Sequence, residues 1–148
     1  MRGKRCVLLA IGFLLGTLLF FGKSPEERVL KQFEQDRTQL EALAQLAVTQ
    51  GTAQDLEVPE GWKSIEVYHA DNDLITVEFC YASFGIVPSG TYWGINYIPC
   101  DKMLGFQGTG WDYWEQQGEG RLYYDPEGDN TCYVEKLDRG WYYFKASF

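Results

Sequence analysis

The residue types that could do chemistry are few and scattered. His69 is the sole histidine, and no Cys-x-x-Cys or His-Glu-x-x-His run accompanies it. Neither a zinc site nor a Cys-His nucleophile therefore has recognisable spacing. Ser89 stands in Val-Pro-Ser-Gly-Thr and lacks the Gly-x-Ser-x-Gly turn that exposes a nucleophilic hydroxyl. Gly108-Thr109-Gly110 lacks the third glycine of a dinucleotide loop, and no phosphate loop occurs. Asp125-Pro126-Glu127-Gly128-Asp129-Asn130 is rich in oxygen ligands but does not match the EF-hand spacing, and reads as a solvated turn. What remains is a supply of 21 Asp and Glu residues. A carboxylate-based glycan hydrolase needs two acids at a set separation in space, which sequence does not encode; Glu78 and Asp101 are acids whose neutralisation would test that alternative. The primary expectation is no catalytic residue, no metal and no cofactor.

Aromatic residues are the second resource, with 9 Phe, 5 Trp and 10 Tyr. In Tyr92-Trp93, Tyr123-Tyr124 and Trp141-Tyr142-Tyr143-Phe144, rings fall on both faces of a strand, and one face exposes them unless helix, turns or a partner cover it. Trp93, Tyr97, Trp111 and Trp114 are the candidates for a flat surface that stacks on sugar rings, peptide or another protein. Cys80, Cys100 and Cys132 allow three pairings that leave one thiol over, so one disulfide and three buried thiols are both open. Cys6 precedes an apolar run and reads as a small apolar residue.

Net charge is −8. Arg2, Lys4, Arg5 and Lys23 precede the first acid, so residues 24–148 hold 21 acids against 9 bases, or −12. Such a field repels a phosphate backbone, which excludes nucleic acid as the expected partner.

These groups must be positioned by a small set of elements. Residues 6–22 are free of charge, and at about 1.5 Å per residue they extend roughly 25 Å, the short end of a bilayer span. With the basic tip at 1–5 they predict a transmembrane signal anchor, embedded in the lipid bilayer, with a cytoplasmic N-terminus and an extracytoplasmic remainder. The alternative is secretion after cleavage near residue 24, against which Pro25 makes a poor scissile neighbourhood. Ser24-Pro25-Glu26-Glu27 is a helix start with a capping box. Leu30, Phe33, Leu40, Leu43, Ala44 and Ala47 then recur at helical spacing, and Gly51 stops the pattern. This pattern predicts an amphipathic helix over 24–50. Arg37 lies on the apolar stripe, which favours packing on a sheet over a coiled coil.

Residues 51–61 read as a linker. Residues 62–148 read as an antiparallel β domain, a meander or small barrel-like sheet. Strands are expected at Ile65–His69, Leu74–Tyr81, Thr91–Ile98, Gly110–Glu115, Arg121–Tyr124, Thr131–Lys136 and Trp141–Phe148, with a hairpin at Asp71-Asn72-Asp73. The expected class is α+β: an N-terminal transmembrane helix, then one long amphipathic helix on an aromatic-rich sheet. That order is also found in type IV pilins, but Gly12-Phe13 lies inside the apolar run and Thr17 stands where those proteins carry glutamate.

The stretch Phe84-Gly85-Ile86-Val87-Pro88-Ser89-Gly90-Thr91-Tyr92-Trp93-Gly94, with Tyr97, Pro99, Asp101 and the tail Trp141-Tyr142-Tyr143, resembles uncharacterised short proteins of gut-type Gram-positive bacteria. The resemblance covers residues 62–148. It implies a membrane-anchored or exported bacterial protein and assigns no activity. The function expected from the sequence is a non-catalytic module that binds an envelope polymer or a partner protein. A structural accessory subunit of a membrane complex is the other non-enzymatic alternative.

Overall fold

The computed structural model describes residues 22–70, 74–86 and 89–148. The α-helix, α1, spans Pro25–Gln50. Its start derives from local chemistry: the Glu27 N–H donates to Ser24 Oγ at 3.2 Å, and the Ser24 N–H donates to Glu27 Oε2 at 3.0 Å. It ends at Gly51, whose φ of 68° lies in the left-handed region that glycine adopts without steric penalty. Val29, Phe33, Leu40, Ala44 and Ala47 are buried along one stripe.

Seven strands come after the helix: β1 Ser64–Ala70, β2 Leu74–Ile86, β3 Ser89–Tyr97, β4 Trp114–Gln117, β5 Gly120–Tyr124, β6 Thr131–Asp138 and β7 Trp141–Ser147. They form one antiparallel sheet in the order β1-β2-β3-β7-β6-β5-β4. This is not a simple meander. Two meanders, β1 to β3 and β4 to β7, are joined by a long connection over residues 98–113, and β7 pairs with β3.

The expected architecture is corrected at its N-terminal end. Except for Gly22, the transmembrane helix expected over 6–22 lies outside the described residues, as do the basic tip at 1–5 and Cys6. Among the described residues no helix is long and apolar enough to cross a membrane. The helix α1 has the length, but Glu26, Arg28, Lys31 and Glu34 are charged and exposed along it. The architecture of the described residues is therefore a seven-stranded antiparallel sheet with one helix, and the expected membrane-spanning helix is not part of it. The turn expected at 71–73 also lies outside the described residues, although its flanks pair as Ala70↔Leu74. The strand expected at Gly110–Glu115 forms instead at Trp114–Gln117, because residues 109–113 belong to the connection.

Alternation sorts the sheet into two covered faces. On one, Val77, Phe79, Ile95, Trp141 and Tyr143 meet the apolar stripe of α1, with the Phe33 and Trp141 rings 5.2 Å apart. Arg37 does not break this stripe, since its guanidinium lies 4.8 Å from the Phe33 ring and 5.4 Å from the Trp141 ring, and ion-pairs with Asp138 at 2.8 Å. On the other face, Val134, Cys132, Tyr142, Phe144 and Ala146 are covered by Ile98, Leu104 and Phe106 of the connection. The aromatic tail is thus buried on both sides. Gly94 in β3 lets Phe144 approach: a Cβ there would overlap the Phe79 carbonyl oxygen and stand 2.7 Å from Phe144 Cε1.

Candidate functional site

The connection 98–113 is fixed by two carboxylates. Asp101 sits near its start with φ 57°, a left-handed conformation tolerated by Asp. Its carboxylate accepts from Lys136 Nζ at 2.6 Å, the Gly140 N–H at 2.7 Å and the Tyr142 hydroxyl at 2.8 Å. Those three bonds, led by that from Lys136, pull the acid down to about 2. Asp101 is a structural clamp.

Glu78 is the opposite case. It is 3% exposed, and its Oε2 accepts the backbone N–H of Gln107 at 3.1 Å. Burial pushes its carboxyl up to about 7, with Glu66 adding like-charge repulsion against the lowering effect of the Gln107 bond. Gln107 has φ 57° and ψ 27°, and turns the connection at its 3-10 segment Phe106–Gly108. Beneath the connection a polar row crosses five strands in register: Glu66↔Glu78, Glu78↔Asn96, Asn96↔Tyr142 and Tyr142↔Lys136. Asn96 is fully buried, and neither of its amide atoms has a hydrogen-bond partner among the described residues.

A cleft of about 530 Å³ opens between residues 106–113 of the connection and the β5–β6 turn. Phe106, Trp111, Tyr113, Tyr124 and Phe148 supply its rings, and Asp112, Asp125 and Glu127 its charges. None of the lining side chains is basic. Its walls have defined supports. The Trp111 indole N–H donates to Thr109 Oγ1 at 2.8 Å, and the Tyr124 N–H donates to the Tyr113 carbonyl at 3.2 Å. The opposite lip is a turn in which Asp125 Oδ1 accepts the Glu127 N–H at 2.9 Å. This is the oxygen-rich stretch that the sequence presents as a solvated turn.

The four rings selected from the sequence do not share one surface. Trp93 and Tyr97 lie on the helix-covered face; Tyr97 stacks 4.8 Å from Trp141, and its hydroxyl accepts from Gln45 Nε2 at 2.9 Å. Trp111 lines the cleft, while Trp114 on β4 is 45% exposed with the Arg121 guanidinium 4.1 Å over its ring. Tyr113, Tyr124, Phe106, Phe148 and the three acids escaped selection. Only the doubling of aromatic residues around a turn hinted at them, and nothing local said that the connection would fold back beside it.

All three described cysteines are free thiols, Cys80 and Cys132 buried and Cys100 exposed. Burial pushes the Cys80 thiol up to about 11 and that of Cys132 to about 12. His69 is exposed, with Nε2 3.1 Å from the Gly51 carbonyl oxygen. Among the described residues no group of three His, Cys, Asp or Glu side chains is arranged to hold a metal ion.

No family model matches the chain, and neither a curated protein nor a solved structure matches it.

Proposed function

We propose that the protein is a non-catalytic binding module, acting outside the cytoplasm, that holds an envelope polymer or a partner protein in the cleft beside the connection 98–113. The observation that carries this reading is the cleft's composition, five aromatic side chains with three carboxylates around about 530 Å³. Tyr and Trp rings give large contact area at low entropic cost, and carboxylates add directional acceptors. Preorganisation supports it as well, since the wall is held by the Asp101 clamp and the Gln107–Glu78 bond and need not order on binding. An extracytoplasmic location is supported by the sequence alone, through the basic start, the apolar run over 6–22 and the acidity of residues 24–148.

The test is retention of the purified chain on isolated envelope fractions, compared with Tyr113→Ala and Trp111→Ala. Tyr113 is 54% exposed, so its loss should leave folding intact while weakening retention by about threefold to tenfold, the worth of one stacked ring. Equal retention of the wild type and both variants would refute the cleft as the site.

The carboxylate hydrolase has one feature in its favour, the raised Glu78 carboxyl. That carboxyl lies beneath the connection, and Asp101 is occupied by three donors. Turnover of envelope glycans that Glu78→Gln abolishes would establish it.

A further inference from the structure

The strand next to the cleft is an edge strand of the described sheet. Among the described residues β4 is hydrogen-bonded to β5 alone and ends the sheet, and all four of its residues, Trp114–Gln117, are exposed. The chain enters β4 directly from cleft residues Trp111, Asp112 and Tyr113. The outer backbone N–H and C=O groups of such an edge are a template for an added strand. β4 carries neither proline nor lysine; its four-residue length and Glu115 are what blunt it, and they discourage a neutral or acidic strand more than a basic one.

Charge decides what could add there. The cleft contributes Asp112, Asp125 and Glu127, and β4 contributes Glu115. Arg121 on β5, opposite Gln116, holds its guanidinium over the Trp114 ring. Residues 24–148 as a whole carry 21 acids against 9 bases. Resting on the binding function proposed above, we infer that the occupant is an extended, lysine- or arginine-rich peptide segment of a partner protein. It adds as a strand to the free edge of β4 and places a basic side chain among Trp111, Tyr113 and the carboxylates of the cleft. Main-chain pairing supplies affinity without sequence, and the cleft supplies selectivity, because ammonium and guanidinium groups are attracted both by carboxylates and by ring faces.

The experiment uses the purified full chain and a fluorescent decapeptide that alternates lysine with threonine. Three controls accompany it: the same peptide with glutamate for lysine, a glucosamine oligomer with free amines, and its N-acetylated neutral counterpart. The lysine peptide should bind, weaken at high salt, and slow amide exchange at 114–117. Asp112→Asn with Glu127→Gln should lower its affinity about tenfold with unchanged thermal stability. Equal binding of the glutamate peptide, or binding without slowed exchange at 114–117, overturns the inference. Binding of either glycan but not of the lysine peptide overturns it too, while leaving the cleft as a binding site. Failure of every probe counts against both the peptide and the cleft.

Discussion

The backbone N–H of Gln107 donates to Oε2 of Glu78 across 3.1 Å, joining the connection 98–113 to a buried carboxyl on β2. Gln107 also lines the aromatic cleft. The protonation of Glu78 and the position of one cleft wall are therefore linked.

Burial of that carboxyl makes stability pH-dependent. The Glu78 carboxyl is raised from its usual 4.5 to about 7, so between these values the folded chain holds a proton that the unfolded chain has released. Its contribution is fully present below the lower value and is lost as the pH rises through the upper one, about 3 kcal/mol in all. Thermal unfolding followed from pH 4.5 to 8 should show this decline, and Glu78→Gln should flatten it. A variant with the same slope as the wild type would contradict the assignment.

Asp101 works in the other direction. Held down to about 2 chiefly by Lys136, it stabilises the fold above its usual 3.8 and ceases to do so as the pH falls through the lower value. Asp101→Ala should lower Tm by several degrees and speed amide exchange in 104–111, since Gly140 N–H and the Tyr142 hydroxyl both lose their acceptor.

Helix docking depends on Phe33, which is 1% exposed and in contact with Trp141. Phe33→Ala leaves a cavity between helix and sheet and should cost about 3–5 kcal/mol in chemical denaturation. A cost below about 1 kcal/mol would mean that α1 contributes little to the core.

Gly94→Ala should be at least as damaging as a typical overpacking change, about 3 kcal/mol or more, because its Cβ would meet backbone at Phe79 and the Phe144 ring. Soluble yield and Tm of the variant measure it.

Thiol labelling separates the cysteines. Under native conditions alkylation and subsequent peptide mapping should modify Cys100 quickly, and Cys80 and Cys132 only upon unfolding, as exposure and the raised thiols dictate.

The elements that local chemistry controls were legible along the chain. Ser24, Pro25, Glu27 and Gly51 set both ends of α1 because capping groups and a left-handed stop lie within a few residues of the bonds they satisfy. Alternation of apolar residues marked most strands, and the absence of a second helical pattern marked the sheet as antiparallel. The strand order, with β7 inserted beside β3, emerges from long-range packing. Pairing partners are chosen by long-range burial, here of Trp141, Tyr143 and Phe144 between helix and connection, and no short-range signal reports that choice. The same holds for the site. Residues 98–113 read as a loop between the end of a strand at Thr91–Ile98 and the start of one at Gly110–Glu115, yet they fold over an aromatic face because leaving Tyr142 and Phe144 in water costs more than ordering the connection. That folding closed over Glu78, turned Asp101 into a clamp, and set Trp111 and Tyr113 across from Asp125 and Glu127.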